Sequence, residues 1–137
     1  MLAMGEDSTN QQTDAGPVRV KALRGATTVD EDTVAQVTER TQALLRAMLE
    51  RNGVSHEDII SVLFTATDDI RSMFPATAAR GIGFGDVPLL CARELAVPGS
   101  QPLCVRVMMH VETKRSRADL HHVYQQGARG LRDDLPE

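Results

Sequence analysis

Leu103-Cys104-Val105-Arg106-Val107-Met108-Met109-His110-Val111 alternates with the period of an extended chain. Leu103, Val105, Val107, Met109 and Val111 share one face of the predicted strand, and Cys104, Arg106, Met108 and His110 share the other. The first face is an ordinary core stripe. The second holds an arginine between a cysteine and a methionine, too polar for a core and too apolar for a solvated row. A covering surface from another subunit, leaving a wet cleft around Arg106, reconciles the two.

Working outward, Val18 to Arg24 alternates apolar and basic residues and predicts a strand that stops at Gly25. Thr28-x-x-Glu31 predicts a capping box, with Asp30, Glu31 and Asp32 where a helix N-terminus favours negative charge. A long helix is expected next, its apolar face carrying Val34, Val37, Leu44, Leu45, Met48 and Leu49, and Asn52-Gly53 ends it. Ser55-His56-Glu57-Asp58 repeats a small cap signal before Ile59 to Thr65, whose β-branched run predicts a buried strand. Thr67-Asp68-Asp69 predicts a helical turn, and Pro75 the first turn of a short helix reaching Arg80, closed by Gly81 to Gly85. Val87 to Cys91 predicts a short strand, Pro98-Gly99-Ser100 a turn, and Asp119 to Tyr124 a helix with a Gly-interrupted tail to Arg132. The order β, long α, β, short α, β, β, α implies an α+β fold, a mixed β-sheet with helices on one side.

The 137 residues are 42% hydrophobic and 25% charged, the size and balance of one globular domain, which excludes a large multidomain enzyme. Residues 1–17 hold three acids, no base and mostly small polar residues, and are expected to form a disordered leader to a single domain over 18–137. Aromatics make up 3% and the net charge is -4, a poor endowment for stacking or attracting nucleic acid. No apolar run approaches the roughly 18 to 20 residues of a membrane span and no signal peptide is visible, so no membrane partner and a cytoplasmic location are expected. Cys91 and Cys104 are too few for a disulfide framework and lack metal-site spacing; Cys104 is expected as a small buried hydrophobe.

Most motifs with a chemical meaning fail on context. Gly81-x-Gly83-x-Gly85 follows a helix and precedes a strand, the reverse of a dinucleotide fingerprint. His121 and His122 are adjacent, so on a helix they diverge by about 100° and cannot share a metal. His56 and His110 have no ligand partners in view, and Lys114-Arg115-x-Arg117 reads as a solvated turn. No Gly-x-Ser-x-Gly elbow is present, and Cys91 lacks a histidine partner in sequence. What stands out is arginine at the edges of apolar elements: Arg24, Arg80, Arg106 and Arg132. With Glu94, these suit a pocket for a small substrate bearing two carboxylates, because guanidinium is a permanently charged bidentate donor.

In five segments the chain resembles the monofunctional chorismate mutases of the trimeric, barrel-like α+β class, the Bacillus type. They are Arg24-Gly25-Ala26-Thr27-Thr28, Phe74-Pro75-Ala76-x-Ala78-x-Arg80, Val87-Pro88-x-x-Cys91-x-x-Glu94, Cys104 to Met109, and His122-Val123-Tyr124 followed by Leu131-Arg132. The resemblance implies a homotrimer forming a pseudo-α/β barrel, with active sites between neighbouring chains. It implies the pericyclic rearrangement of chorismate to prephenate in aromatic amino acid biosynthesis, with no metal, cofactor or covalent intermediate. It gives Arg106 the ether oxygen, Arg24 and Tyr124 a substrate carboxylate, and Glu94 and Cys91 the ring hydroxyl. Phe74, Ala76, Leu90 and Leu131 match the apolar wall, and Arg80 and Arg132 the rim. Thr77 stands where comparable members carry a lysine, with Arg80 or Arg132 placed to compensate. The alternatives are a non-catalytic trimeric metabolite-binding protein or a deaminase-like relative on a similar scaffold.

Overall fold

The computed structural model describes residues 16–131. Cys104–Thr113 forms a strand (β4) at the centre of a five-stranded mixed sheet. Arg19–Thr28 (β1) and Ile59–Ala66 (β2) flank it, both antiparallel. Leu89–Arg93 (β3) joins β2 in parallel and Val123–Tyr124 (β5) joins β1 in parallel, giving the order β3-β2-β4-β1-β5. The alternation along β4 is real: Val105, Val107, Met109 and Val111 are buried, whereas Arg106, Met108 and His110 are half-buried. No described helix is long and apolar enough to cross a membrane.

The buried stripe packs beneath two helices, Val34–Asn52 (α1) and Pro75–Arg80 (α2). Leu44, Leu45 and Met48 of α1 and Ala76 and Ala79 of α2 share one core with Leu23, Phe64, Val105, Val107 and Met109. Both helices therefore lie on one face of the sheet. Strand β1 runs three residues beyond Gly25, which is a packing gap and not a stop. A Cβ there would lie 2.6 Å from Met48 Sδ and 3.2 Å from Leu44 Cδ1, so glycine lets α1 settle onto the sheet.

Several local expectations are corrected. The helix cap is Thr33, whose Oγ1 accepts from the Gln36 amide at 3.1 Å, while Gln36 Oε1 accepts from the amides of Asp30 and Glu31. Thr28 instead ends β1 and accepts the Gly127 amide on its hydroxyl. The shift leaves Val34 exposed. Thr67-Asp68-Asp69 forms a turn and no helix, because the Asp69 carboxylate accepts the Leu103 amide and Thr67 the Cys104 amide, tying the loop to β4. Strand β3 begins at Leu89, two residues later than expected; Pro88 only lends its carbonyl to the Val62 amide.

The largest correction concerns Asp119 to Tyr124, where one 3-10 turn at Arg117–Asp119 leads into β5. Long-range hydrogen bonds override the local helical pattern. Buried Asn52, at the end of α1, donates to the His121 carbonyl at 2.9 Å and accepts the His121 amide at 2.6 Å. The Arg24 amide donates to His122 Nδ1 at 2.9 Å. Tyr124 is thus placed beside β1 through His121, which is held by an asparagine 69 residues before it in the chain. Asn52→Ala removes the buried partner of the part-buried His121 amide and carbonyl and is expected to destabilise the fold by about 2 to 3 kcal/mol. Urea unfolding at fixed protein concentration checks this; a midpoint within error of wild type would contradict the bridging role.

Candidate active site

The face of the sheet turned away from the helices carries a cavity of about 310 Å³. Its polar lining comes from four elements: Arg24 of β1, Thr65 of β2, Arg106 of β4 and Tyr124 of β5, joined by Glu94 just beyond β3. Strand register explains the convergence, since Arg106 lies opposite Ala26 on one side and Thr65 on the other, while Tyr124 lies beside Ala26. The Glu94 amide donates to the Ala66 carbonyl at 3.0 Å, which carries β3 pairing one residue further and turns the carboxylate inward.

Glu94 Oε1 accepts the Thr65 hydroxyl at 2.5 Å and lies 3.4 Å from Arg106 Nε. The side chains of Arg106 and Glu94 are 42% and 24% exposed. Arg106 Nε is buried and makes no hydrogen bond among the described residues, the 3.4 Å ion pair falling outside good geometry. Beneath it, burial pushes the Cys104 thiol above its ordinary value, and the nearby arginine offsets this in part. Cys104 is buried as expected and packs with Ala26 and Ala128, against which Tyr124 and Leu131 also rest. The result is a dicarboxylate-sized recess with two guanidinium groups, a phenol and one carboxylate.

A second cavity of about 630 Å³ opens at the β3 edge, lined by Arg71, Met73, Phe74, Cys91 and Arg93 among others. Cys91 is level with Phe64 in the parallel register, so its side chain lies on the helix side of the sheet. Arg93 grips Asp68 through two hydrogen bonds of 2.7 and 3.1 Å, which hold the Asp68 carboxyl below the usual range. Asp32 secures the loop from the other side by accepting the amides of Arg71 and Ser72.

The anticipated site residues are thus divided. Arg24, Glu94, Arg106 and Tyr124 come together in one recess, and Leu90 is exposed. Phe74, 70% exposed, and Cys91 belong to the other. Cys91 and Glu94, expected at one hydroxyl, line different cavities in one chain, because side chains three residues apart on an extended chain leave opposite faces. Ala76 is buried under α2 and does not line a wall, while Thr77 and Arg80 are exposed on that helix. Arg132 lies outside the described residues. The sequence reading missed Thr65, Arg71 and Arg93; Thr65 becomes visible only through its pairing with Arg106.

The family model for chorismate mutase type I matches residues 20–135, spanning every element that contributes to both cavities. The chain belongs to the chorismate mutase type I family. Chorismate mutase AroH of Thermus thermophilus is 48% identical over 117 residues, covering 85% of this chain and 96% of that relative. Chorismate mutase AroH of Bacillus subtilis (strain 168) is 38% identical over 117 residues, covering 85% and 92%. A solved chorismate mutase from Clostridium thermocellum superposes with a TM-score of 0.77 at 48% identity, covering 79% of this chain and 96% of that one. Membership of the chorismate mutase type I family places the chain among isomerases, and none of these relatives favours the metabolite-binding or deaminase-like alternatives.

Proposed function

We propose that the protein is a cytoplasmic homotrimeric chorismate mutase that rearranges chorismate to prephenate without metal or cofactor. The convergence of Arg24, Glu94, Arg106 and Tyr124 on one recess, with Arg106 Nε buried and without a hydrogen bond among the described residues, carries the reading. The reaction is intramolecular, so the protein's task is to hold the enolpyruvyl chain over the ring and stabilise charge as the ether bond breaks. A million-fold acceleration requires about 8 kcal/mol off the barrier.

In this reading Arg106 donates to the ether oxygen as negative charge develops there. Arg24 and Tyr124 hold a substrate carboxylate, and Glu94 accepts the ring hydroxyl. The pericyclic step transfers no proton, so the protein need only orient the substrate and meet the developing charge. The cavity with Phe74 and Cys91 faces the helix side of its own chain, which supports a shared site: it supplies the wall to a neighbour's recess. The deciding test is the loss of the ultraviolet diene absorbance of chorismate with purified protein, with prephenate identified as product. No loss at high concentration of verified trimer would reject catalysis.

A further inference from the structure

We propose that Thr65 is a positioning residue for this reaction: its hydroxyl holds the Glu94 carboxylate back from Arg106, keeping the guanidinium open to substrate. The inference rests on the proposed mutase reading. A carboxylate beside a guanidinium ordinarily closes to about 2.7 to 2.9 Å and pairs through two parallel hydrogen bonds. Here Glu94 Oε1 stops 3.4 Å from Arg106 Nε. That same oxygen accepts the Thr65 hydroxyl at 2.5 Å, the shorter and better directed of its two contacts.

The placement of Thr65 follows from the sheet. It stands opposite Arg106 across the β2–β4 pair and lines the recess, one residue before Ala66, whose carbonyl holds the Glu94 backbone. Glu94 is therefore fixed at two points on β2, one main-chain and one side-chain. The consequence is an unsatisfied donor: Arg106 Nε is buried with no hydrogen bond among the described residues. The side chain as a whole is 42% exposed, so a substrate oxygen can meet the guanidinium at its open edge, where a preorganised donor stabilises charge that develops in the transition state. Without the hydroxyl, Glu94 would swing onto Arg106 and satisfy it internally, closing the recess to substrate.

The test compares Thr65→Val, which keeps shape and strand preference, with Thr65→Ser, which keeps the hydroxyl. Thr65→Val is expected to lower kcat about tenfold or more with a smaller change in KM and an unchanged thermal midpoint. Thr65→Ser should recover most of the rate. In a Glu94→Ala background, adding Thr65→Val should change the residual rate by less than about twofold, because the hydroxyl acts through the carboxylate. A crystal structure of Thr65→Val is expected to show Glu94 within about 3 Å of Arg106 Nε. Wild-type kcat in Thr65→Val, an undiminished effect without Glu94, or Glu94 unmoved in that crystal would each overturn the proposal. A wild type inactive on chorismate would reject the mutase reading alone, and the crystal would still decide whether Thr65 holds Glu94.

Discussion

Arg106→Ala is expected to lower kcat by about 10² to 10³-fold, with a change in KM several times smaller, in steady-state assays of chorismate consumption. The asymmetry follows from what Arg106 lacks. Among the described residues its Nε has no hydrogen bond, and the Glu94 carboxylate is held 3.4 Å away, so the guanidinium is not locked into a close carboxylate pair. The charge it must meet grows only as the ether bond breaks, so the interaction is stronger in the transition state than in the ground state. Arg106→Lys should recover little, since a single ammonium cannot reproduce the planar fork. A rise in KM with kcat preserved would assign Arg106 to uniform substrate binding. The thermal midpoint should stay close to wild type, because the side chain is 42% exposed and Glu94 keeps its hydrogen bond to Thr65.

What could be read from the sequence followed from period and chemistry, and what could not depended on pairing. The alternation from Leu103 to Val111 made both faces of the central strand legible, including the half-polar one that carries Arg106. The long helix was legible from its stripe, although its cap lay five residues beyond Thr28, because Thr28 was needed by Gly127. The segment at 119–124 was misread because two distant contacts, from Asn52 and the Arg24 amide, decide it, and neither leaves a local trace. Thr65 escaped for the same reason: a threonine in a strand is unremarkable until the register sets it opposite Arg106. The separation of Cys91 from Glu94 could have been found in advance, since an odd spacing on an extended chain divides two side chains between faces.

That separation leads to the second large effect. Phe74→Asp places a carboxylate in the edge cavity, where like-charge repulsion of a dianionic substrate is expected to cost about a hundredfold or more in activity. Phe74 is 70% exposed, so the substitution should leave the fold intact. Arg106→Ala disables the other half. If each site joins one protomer's recess to its neighbour's edge around a closed ring, the interface is heterologous, and a site built from the Phe74→Asp recess and the Arg106→Ala edge is whole. Co-refolding equal amounts of the two weak variants should then restore about one quarter of the wild-type rate, each half of a site being sound with probability one half. If both halves belonged to a single chain, every site in the mixture would carry one lesion and no activity would return. Two affinity tags, one on each variant, show whether mixed trimers have formed, and mixed trimers without recovered activity would place the whole site within one protomer.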